Sequence, residues 1–182
     1  MSKLGLSLPT KTVPLCTNLD LVERHEKLVV ELAEAERAQK LDKRENSPAE
    51  SIARQIGELE AQMRASTITF TLSALPKKIF AQLEAAHPPR DGSELDRAYT
   101  LNLETGVDAI MAHTAPPTIK AVTGADGEPI EFTGDDWHAE ADAMSNGQWT
   151  AFAAAVLQVN RGETAAPFSA AAYRKTRHSE QS

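Results

Sequence analysis

At 182 residues the chain fits one domain of ordinary size, or one domain with an appendage. A formal net charge of -7 argues against nonspecific nucleic-acid binding, which needs cationic groups to displace counterions from phosphate. With only 5% aromatic residues, the core must be mostly Ala, Leu, Ile and Val, which favours helices over a β-sandwich.

The single cysteine, Cys16, has no internal partner for a disulfide. The first residues lack the apolar run of a signal peptide, and no stretch approaches the roughly 20 apolar residues that span a bilayer. The expectation is a cytoplasmic protein with neither a nucleic-acid nor a membrane partner.

Pro9 and Pro14, among several Ser and Thr, predict an extended arm over residues 1–17, of which only Thr12 to Cys16 has the composition to dock. Asn18 is a good N-cap for a long helix reaching about Arg44. Its apolar stripe is Leu21, Leu28, Leu32 and Ala35, widened by Val22 and Val29. Ser47 and Pro48 then supply a cap and a first helical proline, and Ile52, Ile56, Leu59 and Met63 form a second seam. Two such helices across a short polar break predict an antiparallel helical hairpin over residues 18–65. That hairpin is either a structural arm or a surface for a partner helix or for self-association.

From Ser66 the period changes: Ile68, Phe70 and Leu72 alternate with Thr67, Thr69 and Thr71, the pattern of a strand with one buried face. A helix is expected from Ser73, with Pro76 in its first turn, Phe80 on its apolar side and His87-Pro88-Pro89 at its end. The polar run to Arg97 reads as a loop. Asn102 caps a further helix with Leu103, Val107, Ile110 and Met111 on one stripe, and Gly106 inside it costs about 1 kcal/mol against alanine.

Thr118 to Val122 and Ile130 to Phe132 predict a β-hairpin around Asp126-Gly127, able to give the strand at Thr67 to Leu72 a partner. Thr133 caps a helix carrying Trp137, and Ser145 with Gln148 forms a capping box for the last one. In that last helix Trp149, Phe152, Ala153, Val156 and Val159 face one side, which is expected to pack on the helix of Phe80. The fold class is therefore mostly α. An N-terminal antiparallel helical hairpin is followed, over residues 66–162, by a compact helical domain with a short strand and a small β-hairpin. A basic tail over residues 163–182 is expected to be flexible.

No catalytic or metal constellation appears. His138-Ala139-Glu140 matches the H-x-E fragment of zinc deaminases, but those sites also need a P-C-x-x-C pair, and there is one cysteine. His25, His87, His113, His138 and His178 are scattered without ligand spacing. Asp135-Asp136 just after a helix cap is what the macrodipole alone favours. Phe80, Trp137, Trp149 and Phe152 are core residues more often than contacts in a chain this poor in aromatics. If exposed in a groove, they become the first candidates for gripping an apolar partner segment.

The succession FTLSALPKKIFAQLEAAHPPRDG, YTLNLETGVDAIMAH, Asp135-Asp136-Trp137 and AMSNGQWTAFAAAVLQVNRGETAAP, from Phe70 to Pro167, resembles the tail assembly chaperones of siphophages infecting actinobacteria. The two N-terminal helices are similar to an extension found in one subgroup. Gly106 departs from the pattern, standing where members tend to carry a bulky residue. The resemblance implies a non-enzymatic holdase without cofactor or metal, made in the host cytoplasm and absent from the mature virion. It implies binding to the long, apolar, helical tape measure protein, with the tail tube protein and a frameshifted longer form of itself as further partners, and leaves a homo-oligomer open. The alternative is a structural virion component, such as a tail-completion or head-tail connector subunit.

Overall fold

A computed structural model describes residues 6–42 and 48–162. The basic tail, Ser47 and the expected end of the first helix at Arg44 lie outside the described residues. Among those described, the chain is mostly α with some β: seven helices and one antiparallel sheet of four strands in the order β1-β2-β3-β4.

The segment read as an extended arm is the sheet's edge strand, β1 (Thr10–Cys16). It pairs along its whole length with β2 (Thr67–Ser73), setting Val13 opposite Phe70 and Leu15 opposite Ile68. The Thr17 N–H donates to the Ser66 carbonyl and the Ala74 N–H to the Pro9 carbonyl, each at 2.9 Å. Bonds in an antiparallel ladder fall on alternate residues, so the odd-numbered positions of β1 face β2. Pro14 falls on the outer side, where its missing N–H costs no ladder bond. That is how a proline-containing stretch becomes a strand here.

The start of the long helix α1 (Leu19–Asp42) lies beside the end of α2 (Ala49–Ala65): His25 Nε2 is 3.4 Å from Glu60 Oε1, and Thr17 bonds Ser66. Leu21 of α1 and Ile56 and Leu59 of α2 are buried in this pairing. Helix α2 starts at Ala49 with Pro48 as its cap, one residue later than the sequence reading.

The helix expected from Ser73 begins only at Lys77 (α3, Lys77–Ala86), because Ser73 closes β2 and its N–H bonds the Thr118 carbonyl at 2.8 Å. In the expected loop sits a short helix, α4 (Glu94–Ala98), whose cap Ser93 accepts the Asp96 N–H. Asn102 caps α5 (Leu103–Met111), as its residue type implied. A Cβ at Gly106 would stand 2.5 Å from Leu101 Cδ1, so the fully buried Leu101 side chain would have to shift to admit one.

Strand β3 (Ile119–Thr123) pairs with β2, and β4 is only Pro129–Ile130. Phe132, expected in that strand, lies beyond it, yet its ring packs edge-on against Phe70 at 5.2 Å. Thr133 and Asp136 bond each other ahead of α6 (Trp137–Ala143). The Thr133 N–H and hydroxyl hold the Asp136 carboxyl below its usual range.

Helix α7 (Asn146–Arg161) opens with the Ser145–Gln148 capping box. It lies mainly across β1, β2 and α5 rather than on α3. The added edge strand widens the sheet into a floor that can take a 16-residue helix. Contact with α3 comes at the far end of α7, where the Arg161 guanidinium stacks over Phe80 and pairs with Glu84. Asn160 fixes that end by accepting the Leu75 N–H at 2.8 Å and donating to the Val156 carbonyl. Between sheet and helices lie Phe70, Leu72, Val107, Ile110, Met111, Trp137, Phe152 and Val156, all in one apolar cluster.

Candidate functional site

Among the described residues, two exposed features that include apolar side chains adjoin each other. The first is a hollow of about 380 Å³ where the Cys16 end of β1 meets the start of α1 and the start of α7, walled by Leu15, Leu19, Val22, Ala151 and Phe152. The second is the outward side of α1. Leu19, Val29 and Val30 are 45%, 44% and 58% exposed, and Glu23, Glu26, Lys27 and Glu31 surround Val30. Glu26 borders both. A larger hollow of about 620 Å³ opens between Pro14, Thr67 and Thr69 on the sheet's other face and His25, Glu60 and Arg64. Its lining mixes Pro14, Met63 and Ala125 with His25, Glu60 and Arg64.

The sequence explains why α1 keeps an uncovered side. A single partner helix covers one seam, and Leu21, Leu28, Leu32 and Ala35 supply it against α2. Val22, Val29 and Val30 extend the apolar arc past what α2 reaches. Isolated exposed valines are ordinary. Here Val29 and Val30 stand beyond Glu26 from a hollow whose floor, at Phe152, belongs to the main core.

The four aromatic candidates are not brought together as one exposed cluster. Phe80, Trp137 and Phe152 are buried, and Trp149 is half-buried. Phe152 forms part of the hollow's floor, and its ring packs edge-on against Phe70 at 4.9 Å and Trp137 at 5.2 Å. Trp137 and Trp149 both donate their indole N–H to Asp108 Oδ1, at 3.0 and 3.1 Å. Phe80 lies under Arg161, away from the hollow. Leu15, Leu19 and Val30 had no part in the sequence reading of a site. The signal that could have found them is the excess width of the α1 stripe.

Asp96 is the buried acid most visible to a search for chemistry, since its side chain has no solvent exposure. Arg90 Nε and Nη2 bond its two oxygens at 2.6 and 3.1 Å, and the N–H groups of Arg90 and Leu103 add 3.2 and 3.4 Å contacts. The guanidinium bonds, helped by these amides, outweigh burial and hold the carboxyl far below its usual range. A carboxylate so fully engaged ties α4 to the start of α5 and has no lone pair left for a substrate. Among the described residues, no group of three or more His, Cys, Asp or Glu is placed to hold a metal ion, and no helix is long and apolar enough to cross a membrane.

Comparison of the chain with protein-family models, curated proteins and solved structures returns no match. The functional reading therefore rests on the resemblance carried by the residues from Phe70 to Pro167 and on where the described ones lie.

Proposed function

We propose that the protein is a non-enzymatic tail assembly chaperone that binds a tape measure protein, keeps it soluble in the host cytoplasm and promotes tail tube assembly around it. The observation that carries this reading is the apolar hollow at Leu15, Leu19, Val22 and Ala151, with Val29 and Val30 exposed further along α1 beyond Glu26. An amphipathic helix lays its apolar residues at i, i+3, i+4 and i+7 into such a groove. Holding that face in the groove competes with self-association of the client.

In this reading residues 18–65 form an antiparallel hairpin that presents the strip, and residues 66–162 form the compact domain that anchors it. The net charge of -7 keeps a complex with an apolar client in solution. Of the aromatic residues, Phe152 lies nearest the client, in the floor of the hollow, and Trp137 packs against it from behind, whereas Phe80 lies away from the hollow.

Co-expression with a phage tape measure protein tests the reading. The client stays in the supernatant when the chaperone is present and precipitates without it. A client that precipitates equally in both cases rejects the proposal, and a stoichiometric place in purified particles favours a structural virion subunit instead.

A further inference from the structure

Helix α1 turns one side to α2 and leaves the opposite side open. At 3.6 residues per turn, Glu26, Val30, Ala33 and Arg37 fall on the side facing away from Leu21, Leu28, Leu32 and Ala35. All four are exposed. They recur at four, three and four positions, so one straight face carries an acid, two small apolar residues and a base, in that order. Neither charge at its ends is satisfied: the Glu26 and Arg37 side chains make no ion pair or hydrogen bond among the described residues. On one flank of the same face Lys27 pairs with Glu23 at 2.6 Å, while Glu34 has no ion-pair partner among the described residues.

Such a face is complementary to itself. The four-three-four spacing is the same read from either end. When two copies lie antiparallel about a two-fold axis between Glu31 and Leu32, Glu26 of each therefore stands opposite Arg37 of the other, and Val30 opposite Ala33. The same alignment brings Lys27 of one copy to the flank that holds Glu34 of the other. A parallel alignment sets Glu26 against Glu26 and Arg37 against Arg37, and like charges so placed repel. From Glu26 to Arg37 the seam runs eleven positions, about 17 Å of helix. An interface of that length is small, so its association is weak and depends on concentration.

We propose that the occupant of this face is a second copy of the chain. The two α1 helices pair antiparallel, with Glu26–Arg37 ion pairs at both ends, Val30 and Ala33 between them, and α2 of each copy on the outside. The dimer does not rest on the chaperone reading. Where that reading holds, a client helix and a second copy compete for Val30, and the dimer is the client-free form.

Sedimentation equilibrium of the full chain alone, at low salt and over a range of concentrations, tests it. The wild type is expected to show a monomer-dimer equilibrium. Glu26→Arg alone, or Arg37→Glu alone, turns both end pairs into like charges and weakens dimerisation about tenfold. Both positions are exposed, so far-ultraviolet circular dichroism of each variant stays that of the wild type. An equal mixture of the two variants forms a heterodimer about as tight as the wild-type dimer, because every end pair then joins opposite charges. A wild type that is monomeric at every concentration overturns the proposal. A dimer that neither substitution weakens overturns it too, because it forms through another surface. So does a mixture that associates no better than either variant alone.

Discussion

The indole N–H of Trp149 is 3.1 Å from Asp108 Oδ1, the same oxygen that accepts the indole N–H of Trp137 at 3.0 Å. One carboxylate on α5 thereby joins α6 to α7. Replacing it with an apolar side chain leaves two indole donors unsatisfied, at roughly 1–3 kcal/mol for each buried group. Asp108→Ala is expected to lower unfolding free energy by about 2–4 kcal/mol in urea titration. Asp108→Asn, which keeps an acceptor oxygen, loses less than half of that; equal losses would show that the indoles do not depend on this oxygen.

Gly106→Ala is expected to destabilise the protein although alanine is the better helix former. The propensity gain is about 1 kcal/mol. Against it stands a Cβ 2.5 Å from Leu101 Cδ1, in a site where Leu101 is fully buried, and overpacking of this kind costs about 1–3 kcal/mol. A net loss of about 1 kcal/mol is predicted by denaturant midpoint. A rise in the midpoint would mean that Leu101 moves aside freely.

The Arg90–Asp96 pair gives a pH dependence whose sign follows from its direction. The folded state holds the Asp96 carboxyl below its ordinary value of 3.8, chiefly through the Arg90 guanidinium. The contribution is therefore full above that value and is lost as pH falls through it and below. Melting temperature measured from pH 6 downward should fall for the wild type in this acid range, and Asp96→Asn should flatten that fall while lowering stability near neutrality. An identical pH profile in the two proteins contradicts the assignment.

Ser145→Ala removes one half of the capping box at the start of α7, with an expected loss of about 1 kcal/mol. Gln148 forms the other half and also donates to the Cys16 carbonyl, so Gln148→Ala loosens β1 as well. Amide exchange should report the difference. Ser145→Ala speeds exchange in the first turn of α7 alone, whereas Gln148→Ala speeds it in β1 too.

Where a local rule decided the structure, the sequence was readable. Asn102 and the Ser145–Gln148 pair are caps whose side chains do what their types imply, and the Ile68, Phe70, Leu72 alternation is a strand. Where a distant partner decided it, the sequence was silent. Thr10–Cys16 has two inward apolar residues and a proline, and becomes a strand only because β2 offers a free side and Pro14 falls on the outer edge. That strand in turn relocates α7 from the helix of Phe80 to the sheet. The five residues of α4 are held by Ser93 and by the Asp96–Arg90 pair, too short a stretch for periodicity to show. The groove was hidden for the same reason, since one wall is β1 and Val22 reads in the sequence only as a widening of the α1 stripe.

The central claim is that the strip on α1 holds the client, and its most direct measurement is client solubility with a strip variant. Val29 and Val30 are exposed, so Val29→Glu with Val30→Glu should leave the melting temperature of the protein within a few degrees of wild type. Co-expressed tape measure protein should remain soluble with the wild type and precipitate with this variant. Equal solubility with both, at equal chaperone levels, would contradict the account.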